Sequence, residues 1–228
     1  MLNLSLPSLP NETVFNESFA NQTTHKVVAA ARHNLDKRLF DIVIASIAIV
    51  SVLIWFAPLI GLLIRLTSPG PIVFVQLRTG RNGRPFRCLK FRTMTYERNA
   101  QFKQATANDV RVTAVGRFLR KTNLDELPQV INVLLGDMSI VGPRPHPLQL
   151  DAQHWHTMAG YPDRYAVKPG ITGLAQVRGC RGETAALIQM QHRVRLDRFY
   201  IRKQTLWLDL KICWCTAMTM IRGDKKAC

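Results

Sequence analysis

Acidic residues are scarce in this 228-residue chain: 15 Asp and Glu stand against 31 Lys and Arg, for a formal net charge of +16. That imbalance turns the search away from cationic partners and toward phosphates, nucleic acid or an acidic membrane face. Cysteine is sparse too. Cys88, Cys180, Cys213, Cys215 and Cys228 make an odd count without a CxxC pair, which argues against a disulfide framework or a zinc site and fits a reducing compartment. His154 and His156, in "HWH", lack supporting Cys, His or acid spacing, so no metal centre is expected there. Aromatics make up only 8% and do not interleave with the basic residues, which argues against a base-stacking platform for nucleic acid. No internal repeat is found.

The N-terminus, "MLNLSLPSLPNETVFNESFANQTTH", lacks the basic start and long apolar stretch of a signal peptide. Asn-x-Ser/Thr occurs there at Asn3, Asn11, Asn16 and Asn21. These are either glycan acceptors of a secreted protein or chance encounters in a polar leader. The leader is preferred, because nothing else indicates secretion.

Charge is missing altogether from Ile42 to Ile64, a run of 23 residues. At about 1.5 Å per residue, such a helix is long enough to cross a hydrocarbon core about 30 Å thick. Two features argue against a simple span. Lys37 and Arg38 precede the run, and Arg65, Arg78, Arg81 and further cations follow it, so the positive-inside bias holds both flanks on one side. Pro58 lies within the run, where it removes a backbone bond and kinks a helix. A re-entrant helix is preferred, although prolines also occur in spanning helices.

After the run, "SPGP" reads as a turn and "IVFVQL" as a strand. "GRNGRP" reads as a hairpin turn and "FRCLKFRTM" as the returning strand. Between Arg78 and Lys121 twelve basic residues face only Glu97 and Asp109. Most of these cations are expected to be a solvated surface or to meet an anionic leaflet. Val115, Phe118 and Leu119 recur at helical spacing, and "LPQVINVLLG" continues as a helix ending at Gly136. Asn123 is placed as the N-cap of that second helix, with Asp125 and Glu126 in its first turn. Acids there suit the helix dipole on electrostatic grounds alone, so position by itself leaves structure and chemistry open for the pair. Pro143-Arg144-Pro145 is a rigid unit that presents one guanidinium in a fixed direction, suited to a phosphate or carbonyl edge. The C-terminal stretch reads as one or two helices. Its end, from Leu206, is amphipathic and suited to packing plus contact with a membrane interface.

In order along the chain stand "KRLFDIVIA" with its proline-interrupted run, "FRCLKFRTM", "LRKTNLDELPQVINVLLGDMSIVGPRP", "VKPGITGLAQVRG" and "LWLDLKI". With these motifs, residues 35–222 resemble the bacterial sugar transferases, the monotopic phosphoglycosyl transferases that act on polyprenyl phosphates. The resemblance implies transfer of a sugar-1-phosphate from a UDP-sugar to polyprenyl (undecaprenyl) phosphate, releasing UMP, as the first membrane step of surface glycan assembly. It implies a membrane-associated α/β fold, with a re-entrant kinked helix and a small cytoplasmic catalytic domain carrying a short β-hairpin, at the bacterial inner membrane. The expected divisions are a polar leader at 1–34, the re-entrant helix at 35–66, the catalytic domain at 67–222 and a tail at 223–228. Larger members carry additional N-terminal membrane helices, so this chain looks like the minimal catalytic form.

By the same resemblance Asp125 is the nucleophile that forms a phosphosugar-aspartyl intermediate. Glu126 is the Mg2+ ligand, with Asp125 beside it. Surrounding cations and the metal would keep both acids ionised. Lys90 and Arg120 are phosphate clamps, and Arg144, between Pro143 and Pro145, contacts the nucleotide. Asp209 matches a family position where an ion-pair or packing role is equally expected. Many members have Ser-Pro at the helix break where this chain has Ala57-Pro58, so Ser51 or the backbone would have to compensate. "RGCRGET" resembles the glucose-1-phosphate transferases, with galactose-1-phosphate or an N-acetylated amino sugar-1-phosphate as the alternative. Anionic membrane lipid is an expected partner, nucleic acid is not, and a homo-oligomer is left open. From another class, a basic membrane-anchored protein binding nucleic acid or anionic lipid remains the rival.

Overall fold

The computed structural model describes residues 35–96, 106, 109–180 and 187–222. The leader with its four glycan-type sequons, the end of "RGCRGET" and the tail lie outside them. The first element is one apolar rod in three pieces: α1 (Leu35–Ala48), a π-helical turn (Ile49–Leu53) and α2 (Ile54–Thr67). In the π turn the Ile54 amide reaches back to the Ile49 carbonyl, one residue further than an α-helix allows. Pro58 lies inside α2, so the irregularity occurs as a widened turn just before it. Ser51 donates to the Ile47 carbonyl at 2.6 Å, at the entrance of that turn. It does not serve the Ile54 carbonyl, which the missing Pro58 amide leaves without its helical partner.

Both ends of this 33-residue rod rest on the same domain. Near the start, Arg38 donates to the carbonyls of Val133 and Leu134 at 2.6 and 2.9 Å. Asp41, 2% exposed, accepts from Ser139 Oγ (2.9 Å), the Ile140 amide (3.0 Å) and Lys37 Nζ (2.9 Å). Near the end, Ile60 and Ile64 are buried, and Arg92 donates to the carbonyls of Ser68 and Pro69 at 2.6 and 2.9 Å. Between these anchors Val50, Ile54, Trp55 and Leu59 stay more than half exposed, an apolar surface that water does not stabilise.

The chain then forms the expected hairpin, β1 (Val73–Thr79) with antiparallel β2 (Pro85–Phe91), in the register Val73↔Phe91 to Thr79↔Pro85. Asn82 and Gly83 take positive φ in the turn, as an Asn-Gly pair allows. Next come α3 (Ala114–Thr122) and α4 (Gln129–Leu135), joined by a 3-10 turn, Leu124–Glu126. Thr113 caps α3 by accepting from the Gly116 amide at 2.9 Å. Gly116 lies so close to β2's exit that a Cβ would stand 1.9 Å from the Thr93 carbonyl oxygen. Gly136 ends α4 at φ +94°, as expected.

The placement of Asn123 needs correction. It does not cap α4. It closes α3 in the left-handed conformation (φ 60°), makes no side-chain capping bond, and hands the chain to the 3-10 turn. Asparagine is favoured both as an N-cap and in the left-handed region, and the break before Pro128 selects the second use. Asp125 and Glu126 therefore ride a tight 3-10 turn.

A parallel pair follows: β3 (Ser139–Val141) beside β4 (Gly170–Thr172), the latter within "VKPGITGLAQVRG", which reads as a Gly-rich turn and strand. Between and after them lie α5 (Leu148–His154), a 3-10 turn (Pro162–Ala166) and α6 (Leu174–Val177). The C-terminal stretch is two helices, α7 (Leu187–Lys203) and α8 (Leu206–Arg222). On α8, Asp209 and Ile212 are buried, while Leu206, Trp207, Leu210 and Trp214 face outward. Asp209 joins the base of the apolar rod: Lys37 Nζ is 3.1 Å from it, and Tyr200 donates to it at 2.7 Å. Its role in the fold is thus an ion pair tying α8 to α1.

Candidate active site

Three elements bring the predicted residues together. Asn132, on α4, accepts from the Leu89 amide at 3.0 Å and donates to the Arg87 carbonyl at 2.8 Å. This sews α4 to β2 and sets Lys90 opposite the 3-10 turn. Lys90 Nζ then lies 2.6 Å from Glu126 Oε1. From the far side, Arg144 spans both carboxylate oxygens: Nη1 donates to Oε2 at 3.1 Å and Nη2 donates to Oε1. Asp125 and Glu126 are 8% and 6% exposed, so this charge cluster sits out of bulk water.

The two acids respond in opposite ways. Burial opposes ionisation of Glu126, but Arg144 and Lys90 outweigh it and hold its carboxyl well below the ordinary range. At Asp125 burial wins over the pull of Lys90, the Glu126 charge adds to it, and the proton affinity rises. Lys90 is itself lowered by burial, against the pull of Glu126. The expectation is that cations and the metal together keep both acids ionised; the protein's own cations do so for Glu126, while at Asp125 they alone leave the carboxyl displaced in the other direction.

Arg120 stands a little apart. Its Nε donates to Thr93 Oγ1 at 2.9 Å, and it contributes electrostatically at Asp125. Pro143 and Pro145 flank Arg144 in the turn after β3. Pro58 belongs to the apolar rod and plays no part in the cluster. Sequence reasoning left Arg78 among the general basic surface, yet its Nη1 donates to the Pro145 carbonyl at 2.7 Å while Gln76 Oε1 holds its other nitrogens. The available signal was the strand alternation, which puts Gln76 and Arg78 on one face of β1.

Among the described residues no group of three or more His, Cys, Asp or Glu could hold a metal by protein ligands alone. Magnesium ordinarily takes one or two protein carboxylates and fills its shell with phosphate oxygens and water. The adjacent Asp125 and Glu126 are carboxylates of that kind, but Lys90 and Arg144 occupy both Glu126 oxygens here, so a cation would have to displace part of that grip while a diphosphate supplies the rest. His154 instead lies against the Tyr161 ring, with centroids 5.6 Å apart.

The profile of the bacterial sugar transferase family matches residues 32–223. The chain belongs to this family. Among similar members is the UDP-glucose:undecaprenyl-phosphate glucose-1-phosphate transferase of Klebsiella pneumoniae, 50% identical over 79% of this chain and 39% of the relative. One of the same name from Caulobacter vibrioides is 47% identical over 84% of this chain and 72% of the relative. The exopolysaccharide production protein PSS of Rhizobium leguminosarum bv. phaseoli is 39% identical over 83% and 96%. The chain spans about two fifths of the length of the first of these, so the sugar transferase match concerns one part of that larger protein.

Proposed function

We propose that this sugar transferase moves a hexose-1-phosphate, glucose-1-phosphate from UDP-glucose in the preferred reading, onto undecaprenyl phosphate and releases UMP. The observation that carries the reading is the buried Asp125–Glu126 turn, with one carboxylate gripped by Lys90 and Arg144 and the other left to react. The names of the relatives support the donor and acceptor.

An Asp125 carboxylate oxygen attacks the sugar-bearing phosphorus of the diphosphate. The bond from that phosphorus to the bridging oxygen breaks, and UMP leaves with the oxygen and its electron pair. A phosphate oxygen of undecaprenyl phosphate then attacks the same phosphorus, the acyl–phosphate bond breaks, and Asp125 returns as carboxylate. Dividing one displacement into two is ordinary covalent catalysis. Lys90, Arg120 and Arg144 supply fixed positive charge where the diphosphate must sit. Asp125 and Glu126 would hold Mg2+, which lowers the repulsion between an anionic nucleophile and an anionic phosphate.

The test is UMP release by the membrane-extracted protein with undecaprenyl phosphate and a panel of UDP-sugars. UDP-glucose is expected to be turned over fastest. Faster turnover of UDP-galactose or a UDP-N-acetylated amino sugar would replace the donor. Release from none of them would remove the reading.

The apolar rod enters and leaves the membrane on one face, which we place as the cytoplasmic face of the inner membrane. The contacts of both its ends with one domain support this. Arg38 and Asp41 hold the start, and Arg92, Ile60 and Ile64 hold the end. A straight helix of that length runs about 50 Å, so a span would carry one end across the bilayer, away from the domain. Single cysteines at Leu35 and Leu66, in a chain whose own cysteines are replaced by serine, are expected to react with an impermeant reagent from the same side of oriented vesicles. Labelling from opposite sides would contradict the arrangement.

A further inference from the structure

The turn that carries Arg144 is held by its carbonyls. Proline removes the amide donors at residues 143 and 145, so acceptors are what the turn can offer. Four successive carbonyls are each taken by a donor from elsewhere. Pro143 accepts from the Gly170 amide at 2.9 Å, and Arg144 from Arg164 Nη2 at 2.9 Å. Pro145 accepts from Arg78 Nη1 at 2.7 Å, and His146 from the Thr79 amide at 3.2 Å. Three of the four donors belong to the strands β1 and β4. Two of the donors are side chains: Arg78, which Gln76 on the same strand holds, and Arg164, from the 3-10 turn Pro162–Ala166, which other elements must hold.

The surroundings of Arg164 do that. It is 1% exposed, and its Nε donates to Asp197 Oδ2 at 2.8 Å. Its guanidinium carbon lies 5.2 Å from the Tyr161 ring centre and 5.7 Å from that of Tyr165. Asp197, 2% exposed, projects from the inner face of α7. A buried ion pair is a poor source of net stability, because removing two charges from water offsets most of their attraction. A planar guanidinium with directed N–H groups is, however, well suited to joining a carboxylate and a carbonyl at fixed angles.

We propose that Arg164 and Asp197 form a positioning pair that aims the Arg144 guanidinium at Glu126 and at the diphosphate. The proposal rests on the phosphoglycosyl transfer reading for the meaning of Arg144. It does not make Arg164 a catalytic residue, since Arg164 reaches the turn through the Arg144 carbonyl and the His146 ring, 2.9 Å from its Nη1, and not through the reacting groups.

Arg164→Lys keeps the charge beside Asp197 but loses the fork that also reaches the Arg144 carbonyl. In the otherwise unchanged enzyme it is expected to lower kcat/KM for UMP release by about tenfold to a hundredfold, chiefly in kcat. In an Arg144→Ala background the same substitution is expected to change the rate less than about twofold, because partners in one chain of action are not additive. Equal losses in both backgrounds would overturn the proposal. Asp197→Asn preserves shape and serves as the second variant, with the same dependence on Arg144 expected. Hydrogen exchange supplies a readout that needs no substrate. Peptides covering residues 139–150 are expected to exchange about tenfold faster in Arg164→Lys, while those of β2 and α4 keep their rates. Unchanged exchange over 139–150, or acceleration everywhere, would overturn it. Failure of every UDP-sugar to react, together with this local loosening, would remove the functional reading and leave the positioning pair standing.

Discussion

Asp125→Asn is expected to lower UMP release by at least about a thousandfold, the scale seen when a covalent nucleophile is lost. The fold should not suffer. Burial already penalises the ionised form of Asp125, so a neutral amide of the same shape removes a cost. The unfolding temperature is therefore expected to stay level or rise, which separates chemistry from folding. A corresponding pH dependence follows. The nucleophile must be ionised, and burial has raised its pKa above the usual 3.8. At limiting Mg2+ activity is lost as pH falls through that raised value, and saturating Mg2+ is expected to move the acid limb of kcat/KM downward. Glu126, displaced downward, stays ionised throughout and adds no limb there. Near-wild-type turnover by Asp125→Asn would remove it as nucleophile.

Asp41→Ala is expected to destabilise the protein by about 3 kcal/mol or more, measured by thermal unfolding in detergent. Asp41 accepts from Lys37, Ser139 and the Ile140 amide with almost no access to water. Without it the Ile140 amide loses its buried acceptor, the Ser139 hydroxyl falls back on the Val141 carbonyl, and Lys37 keeps its ion pair with Asp209. The start of the apolar rod is then tied to the domain mainly through Arg38. Asp41→Asn, which keeps an acceptor, is expected to cost less. A loss below about 1 kcal/mol for the alanine variant would mean that these bonds do not anchor the rod.

The parts of the structure that rest on local chemistry were legible. The run without charge is a helix, as its composition indicates. Asn82-Gly83 fixes the hairpin turn, and Gly136 ends α4. The Asp125–Glu126 pair among cations, with Arg144 between prolines, could be read as one site because its motifs lie in a recognisable order. What escaped depends on contacts between distant residues. Asp41 drew no reading from the sequence, because its partners Ser139 and Ile140 are nearly a hundred residues away. Arg164 and Asp197 are separated by 33 residues, and no pattern in either segment announces the other. β3 is three residues long, too short for alternation to show, and so its pairing with β4 was not legible either. Asn123 was misplaced because its side chain suits two kinds of helix end. The opposite displacements of Asp125 and Glu126 were hidden for a similar reason: neighbours in sequence, they differ only in which of them the folded chain presents to Lys90 and Arg144.

The central claim is that one buried aspartate takes up the sugar phosphate before the lipid does. Intact-protein mass spectrometry after mixing with UDP-glucose, without undecaprenyl phosphate, tests it most directly. The account predicts a protein heavier by one hexosyl-phosphoryl group, mapped by peptide analysis to Asp125, absent from Asp125→Asn, and discharged when undecaprenyl phosphate is added. UMP release with undecaprenyl phosphate present, but no such adduct at any time after mixing, would contradict it.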